Sequence, residues 1–270
     1  MTARPPRSAR GLASPWLDPV AAAAALHARF GIREPCELAI EEMAWHCGAT
    51  VLWRDAGSAD ARVVRSGDRA YLAIGKRARG TPRARFSIAH ELAHLLLHAD
   101  FDAIARIHGG ARETRREFKV EYDADRFASE LLVPAFLARR RCEATLRPTF
   151  DDVAELAREY GVSLTVAAKR WPKLSSAPCA SFEARRGVLR NVVRSSSFRG
   201  DAIGGRELRE GMLAREILEQ GDAVDGIRRR VHDRRWGSGW LGTPIVEECV
   251  RVADGVVLGW LWHEVIEAVA

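Results

Sequence analysis

Arg85-Phe86-Ser87-Ile88-Ala89-His90-Glu91-Leu92-Ala93-His94-Leu95-Leu96-Leu97-His98 is the stretch on which the reading of this sequence turns. Phe86, Ile88, Ala89, Leu92, Ala93 and Leu95 to Leu97 leave little polar face, so the spacing predicts a mostly buried helix over 83–98. Two imidazoles and a carboxylate are costly in such a helix unless a partner such as a metal compensates them. Residues four apart share a helix face, which lets His90 and His94 direct a ring nitrogen at one Zn2+ ion. Glu91 stands beside them, placed to accept a proton from the attacking water and pass it to the leaving amine while the metal polarises the scissile carbonyl. That division of labour is peptide-bond hydrolysis.

A catalytic zinc needs a third protein ligand and keeps a fourth position open. The extension HExxHxxGxxH does not supply it, because Leu97 stands at the glycine and Asp100 at the third histidine. His98 lies about 12 Å up the helix axis from His90, too far to share the ion, and reads as a hydrogen-bonded helix-end histidine. A carboxylate from a later helix remains. Val120, Ala124, Phe127, Ala128, Leu131 and Leu132 predict a helix over 117–132 that ends at Pro134, and it carries Glu121 and Asp125 on one face. With 26 residues between His94 and Glu121 the chain can loop back antiparallel. Glu121 would then complete the site, and Asp125 could accept a hydrogen bond from the free nitrogen of a ligand histidine and fix its tautomer. Asp100 and Asp123 are the reserve candidates for the third ligand; the plain alternative for each acid is a solvated helix face.

Outward from these two helices, residues 1–17 combine prolines and arginines with few large apolar groups and read as a disordered tail. Helices are expected from Val20 to Phe30, stopped by Gly31, and from Pro35 to Cys47, stopped by Gly48. Short strands at 50–53, 61–64 and 69–74, the last two joined through Ser66-Gly67-Asp68, make a small antiparallel sheet. Residues 150–171 read as two helices around a tight Gly161-Val162-Ser163 turn, and 172–178 as a linker. Beyond it, strands at 188–193, 245–252 and 256–262 surround a helix at 207–219. The fold class is therefore α+β: a mainly helical metallopeptidase domain over 18–148, a helix-turn-helix-like pair and linker over 149–174, and a small α+β module over 175–270. Trp236, Trp240, Trp260 and Trp262 are candidates to line a ligand pocket in that module, with core packing as the simpler reading.

The five cysteines are scattered and form no CxxC pair, as expected of reduced thiols in a cytoplasmic protein. No run approaches 18 apolar residues, and no apolar segment follows the arginines at the N-terminus, so neither a membrane span nor a signal peptide is expected. The net charge of +6 comes almost wholly from arginine and permits contact with nucleic acid without demanding it.

The block at 85–98 and a second, Glu121-Tyr122-Asp123-Ala124-Asp125-Arg126-Phe127-Ala128-Ser129-Glu130-Leu131-Leu132-Val133-Pro134, together resemble the ImmA/IrrE-type metallopeptidases in content, order and separation. The resemblance covers roughly residues 18–172. It implies a zincin-like endopeptidase of gluzincin type that cuts a helix-turn-helix transcriptional repressor in a stress or mobile-element response, with one zinc per chain on His90, His94 and Glu121 and with Glu91 as general base. Asp125 fits a position the family fills with Asn or Asp. Many members carry a DNA-binding domain ahead of the peptidase, for which the tail here is too short, so the expected substrate is a separate repressor. Two other readings stand beside this one. A DNA-binding regulator would read DNA with 164–171, which offers only Lys169 and Arg170 as basic contacts. A non-catalytic zinc-binding sensor would have no use for Glu91 as a base. A sensory role for 175–270 is an expectation at the level of family organisation alone.

Overall fold

A computed structural model describes residues 18–55, 61–66, 69–98, 115–200, 202–220, 226–232, 235–237 and 244–263. The expected tail, Asp100 and Trp240 lie outside these residues. The chain forms two compact units. One reaches to Leu137 and takes in Tyr160–Ser163; the other comprises Ala138–Glu159 and the chain from Leu164 onward.

The first unit opens with α1 (Pro19–Phe30). Asp18 caps it by accepting from the amides of Val20 and Ala21 at 3.0 and 3.2 Å, Pro19 needs no donor at the first position, and Gly31 ends it at φ 64°. The helix expected over 35–47 is broken in two, a single 3-10 turn (Pro35–Glu37) and then α2 (Ile40–His46). Glu37 turns back to accept from the amides of Arg33 and Glu34, and the carbonyl freed at Leu38 accepts from the Arg85 guanidinium at 3.1 Å. That last partner is remote in sequence, so local pattern could not place the break.

Strands β1 (Ala49–Arg54), β2 (Ala61–Ser66) and β3 (Arg69–Gly75) make a sheet of order β1-β3-β2. It is mixed rather than antiparallel throughout. β2 and β3 pair antiparallel, whereas β1 pairs parallel with β3. The cause is apolarity: β3 carries Leu72 and Ile74, both almost fully buried, and takes the centre. The chain reverses between β1 and β2 and again between β2 and β3, so the strand inserted between them must run with β1.

α3 (Pro82–Leu97) starts where Thr81 caps the amide of Ala84 at 3.2 Å. From Ile88 to Leu97 every residue but the half-buried His90 is buried, and the helix packs against α2, β2, β3 and α4 (Arg115–Leu132). α4 also packs on α1, whose buried His27 contacts the Leu131 carbonyl at 3.0 Å through Nε2.

The second unit is built on a fully antiparallel sheet of β4 (Cys179–Arg185), β5 (Val188–Arg194), β6 (Arg228–His232), β7 (Ile245–Ala253) and β8 (Val256–His263), in the order β5-β4-β8-β7-β6. The short α5 (Ala135–Ala144) leads into this unit, followed by α6 (Phe150–Tyr160) and α7 (Leu164–Arg170). One sheet face buries Phe182, Val257, Leu261 and Trp236 with α8 (Leu213–Glu219). On the other, Phe150 stacks on Trp260 with ring centroids 6.5 Å apart, and Glu248 accepts from the Phe150 amide and the Trp262 indole. The helix expected over 207–219 begins only at Leu213. Leu208 donates its amide to Gly187 at 2.7 Å instead, and Gly211 sits at φ 76°. Sequence reading missed β6 because Arg-Arg-Arg-Val-His looks like a solvated charge run. Arg228 and Arg230 are paired with Gln220 and Glu216, which lets the strand join the edge of the sheet.

Candidate metal centre

As α3 climbs from His90 to His94, the contacts on α4 fall from Asp125 to Glu121, so the two helices run antiparallel as expected. Their facing turns converge on one point. The Nε2 atoms of His90 and His94 are 3.0 Å apart; Glu121 Oε2 is 3.2 Å from the first and Glu121 Oε1 is 3.5 Å from the second. Ligand atoms held about 2.0–2.1 Å from a tetrahedral ion are spaced roughly 3.3 Å from one another. The three side chains thus have the spacing of a metal-binding set, and among the described residues they are the group of acids, histidines and cysteines that could hold an ion.

Behind His90, Nδ1 meets Asp125 Oδ1 at 3.0 Å. Burial alone would push the His90 ring down, but the hydrogen bonds of Asp125 and Glu121 and the charges of Asp125 and Glu91 outweigh it and lift the pKa to about 10. A metal at Nε2 must therefore displace a firmly held proton. Behind His94, which is fully buried, Nδ1 lies 3.2 Å from His98 Nδ1. Burial lowers the His98 pKa below its ordinary value.

Glu91 is 3% exposed, and its Oε2 has no hydrogen-bond partner among the described residues. Burial raises its pKa to about 7, against the charge of His90, while Glu121 adds repulsion and the backbone N–H of Val63, on the edge strand β2, donates to the carboxylate. A buried carboxylate that titrates near neutrality can both take and return a proton. Of the reserve ligands, Asp123 stands outside the cluster on the same helix and acts on His98 only through its charge; Asp100 lies outside the described residues. His98, too far from His90 to share an ion, nevertheless lies against the site. The sequence signal for this contact is its i+4 spacing from His94.

Among the described residues, the second unit holds no such arrangement. In the helix-turn-helix-like pair, Val166, Ala167, Ala168 and Arg170 on α7 are buried, and Lys169 is tied to the buried Glu183 at 2.7 Å. Of the two basic residues, Arg170 is thus buried and Lys169 is held by a carboxylate. Trp236, Trp260 and Trp262 are core side chains whose indole N–H groups donate to Glu247, the Pro148 carbonyl and Glu248.

With this geometry in view, comparison with known proteins gives three findings. Residues 46–172 match the Peptidase_M78 family, described as the IrrE N-terminal-like domain, and so take in α3, α4 and the whole cluster. The radiation response metalloprotease IrrE of Deinococcus deserti is 38% identical over 85 residues, which is 32% of this chain and 30% of that protein. The chain thus aligns with less than a third of the length of that relative. A solved structure titled Mycobacterium tuberculosis transcriptional regulator is similar with a TM-score of 0.61 over 91% of this chain and 76% of that one; at 18% identity the likeness is one of fold. No helix among the described residues is long and apolar enough to cross a membrane.

Proposed function

Belonging to the ImmA/IrrE family through residues 46–172, this chain is, we propose, a cytoplasmic zinc endopeptidase that cuts a separate helix-turn-helix transcriptional repressor in a stress or mobile-element response. The observation that carries the proteolytic reading is the convergence of His90, His94 and Glu121 with Glu91 buried beside them. Two imidazoles from one helix and a carboxylate from the next are the donor set of a catalytic zinc of gluzincin type, and they leave a coordination position for substrate. The choice of a repressor as substrate rests on the family resemblance.

Bound there, zinc would supply the Lewis acid that polarises the scissile carbonyl and makes water acidic enough to attack near neutral pH. The chain's own groups do the rest. Asp125 accepts the Nδ1 hydrogen of His90 and keeps the Nε2 lone pair turned to the cluster. Glu91, buried beside the cluster, would take the proton of the attacking water onto its carboxylate and deliver it to the leaving amide nitrogen. A sensor that only binds metal has no need of this carboxylate, and the burial of α7 argues against reading DNA with the helical pair. Residues 175–270 are proposed as a sensory module, on family organisation alone.

The test is co-expression with each helix-turn-helix repressor encoded beside the gene. The wild type should remove one full-length repressor and Glu91→Gln should not, with metal content near one per chain in both. Cleavage that survives in Glu91→Gln would refute the mechanism, and proteolysis of other substrates with every such repressor left intact would refute the assignment of substrate.

A further inference from the structure

The line of histidines on α3 runs one turn past the cluster. His98 sits at the C-cap, four residues after His94, and its backbone N–H donates to the His94 carbonyl at 3.3 Å. Its ring lies 5.2 Å from that of His94 at an interplanar angle of 45°, with the two Nδ1 atoms 3.2 Å apart. The opposite nitrogen of His94, Nε2, is the one that faces His90 and Glu121.

These distances constrain where the hydrogens lie. A neutral imidazole has one N–H and one lone pair. If His94 gives the Nε2 lone pair to a metal, its hydrogen is on Nδ1, and that hydrogen points at His98 Nδ1. His98 must then present a lone pair at Nδ1 and carry its own hydrogen on Nε2.

We propose that His98 is a positioning residue of the metal centre: it accepts the hydrogen bond from His94 Nδ1 and so fixes the tautomer and rotation of that ligand, as Asp125 does for His90. The inference rests on the reading of His90, His94 and Glu121 as metal ligands. Each ligand imidazole then has an acceptor on its far side, a carboxylate for one and an imidazole for the other. A histidine kept only to close the helix would need nothing more than its backbone N–H. The ring-to-ring approach is what separates the two roles.

The experiment compares the full-length wild type with His98→Ala, His98→Gln and Glu121→Ala, each freed of metal. Zn2+ and Co2+ affinities are measured by competition with a chelator, together with the Co2+ visible spectrum and the melting temperature of the metal-free protein. Loss of an outer partner of a ligand histidine weakens metal binding about 10- to 100-fold. His98→Ala should fall in that range with a shifted Co2+ spectrum and an unchanged metal-free melting temperature. His98→Gln, whose side-chain oxygen can accept the same hydrogen bond, should recover most of the loss. Wild-type affinity in His98→Ala overturns the proposal, as do equal losses in the Ala and Gln variants, or a lower metal-free melting temperature with affinity unchanged, which marks a helix-end role. The metal-site reading fails separately, and takes the proposal with it, if wild type and Glu121→Ala bind metal equally.

Discussion

Replacing Glu91 with Gln separates two consequences of burying a carboxylate beside the cluster. In the metal-free protein its pKa is raised from 4.5 to about 7, chiefly by burial. Below pH 4.5 the group is protonated in both folded and unfolded chains and its titration contributes nothing. Between pH 4.5 and 7 the unfolded chain releases the proton while the folded one retains it, so stability falls as pH rises. Above pH 7 both are ionised and the penalty levels off at about 3 kcal/mol, from roughly 1.4 kcal/mol per pKa unit. Gln does not titrate. Its buried amide adds an offset, but that offset is the same at every pH. The stability of Glu91→Gln relative to wild type should therefore rise by about 2–3 kcal/mol between pH 5 and pH 8. Hydrogen exchange of the α3 amides, read as the variant-to-wild-type ratio at each pH with a chelator present, reports this directly. The ratio should grow about 30- to 150-fold across the interval. With metal restored, the variant should lose about 10²- to 10⁴-fold in peptide-bond hydrolysis, the usual contribution of a general base. A ratio that stays flat with pH would refute the claim that this carboxylate is held buried and destabilised for use.

Removing the acceptor behind His90 with Asp125→Ala should weaken Zn2+ binding about tenfold, the low end of what such partners contribute, because Asp125 is 61% exposed and its charge is well screened. Glu121→Ala removes a ligand and should weaken it far more, while Asp123→Ala should leave it unchanged; chelator competition gives the ranking, and Asp123 ranking first would reassign the third ligand. In the second unit, Glu247 is fully buried and accepts from His232, from Trp236 and from the amides of Leu213 and Ala214. Glu247→Ala leaves those donors unsatisfied and should cost about 3–5 kcal/mol in unfolding experiments. These same partners, against the opposing effect of burial, hold the Glu247 pKa below its ordinary value, so its contribution is present above about pH 4.5 and is lost as pH falls through the lower folded value; stability of this unit that does not decline on acidification would contradict the assignment. Gly259→Ala would place a methyl 2.0 Å from the Phe182 ring, and should destabilise the unit by about 1–3 kcal/mol as overpacking, visible as a lower melting temperature.

The helices bearing His90, Glu91, His94, Glu121 and Asp125, and the spacing of those residues along them, were legible in the sequence alone. These are local properties, written in 3.6-residue periodicity and in the helix stop at Pro134, and they survive without knowledge of any distant partner. Partners brought together by the fold set the rest. β1 came to lie parallel to β3 because the most apolar strand took the centre of the sheet. The helix expected over 35–47 broke where Arg85, far along the chain, could satisfy the Leu38 carbonyl. β6 formed from an arginine run because Gln220 and Glu216 were there to pair with it. His98 came to lie against His94 through a ring contact that its distance from His90 could not reveal. In each case the deciding partner is remote in sequence or set by side-chain direction, and a hydrogen bond or charge pair of that kind leaves no trace in local periodicity.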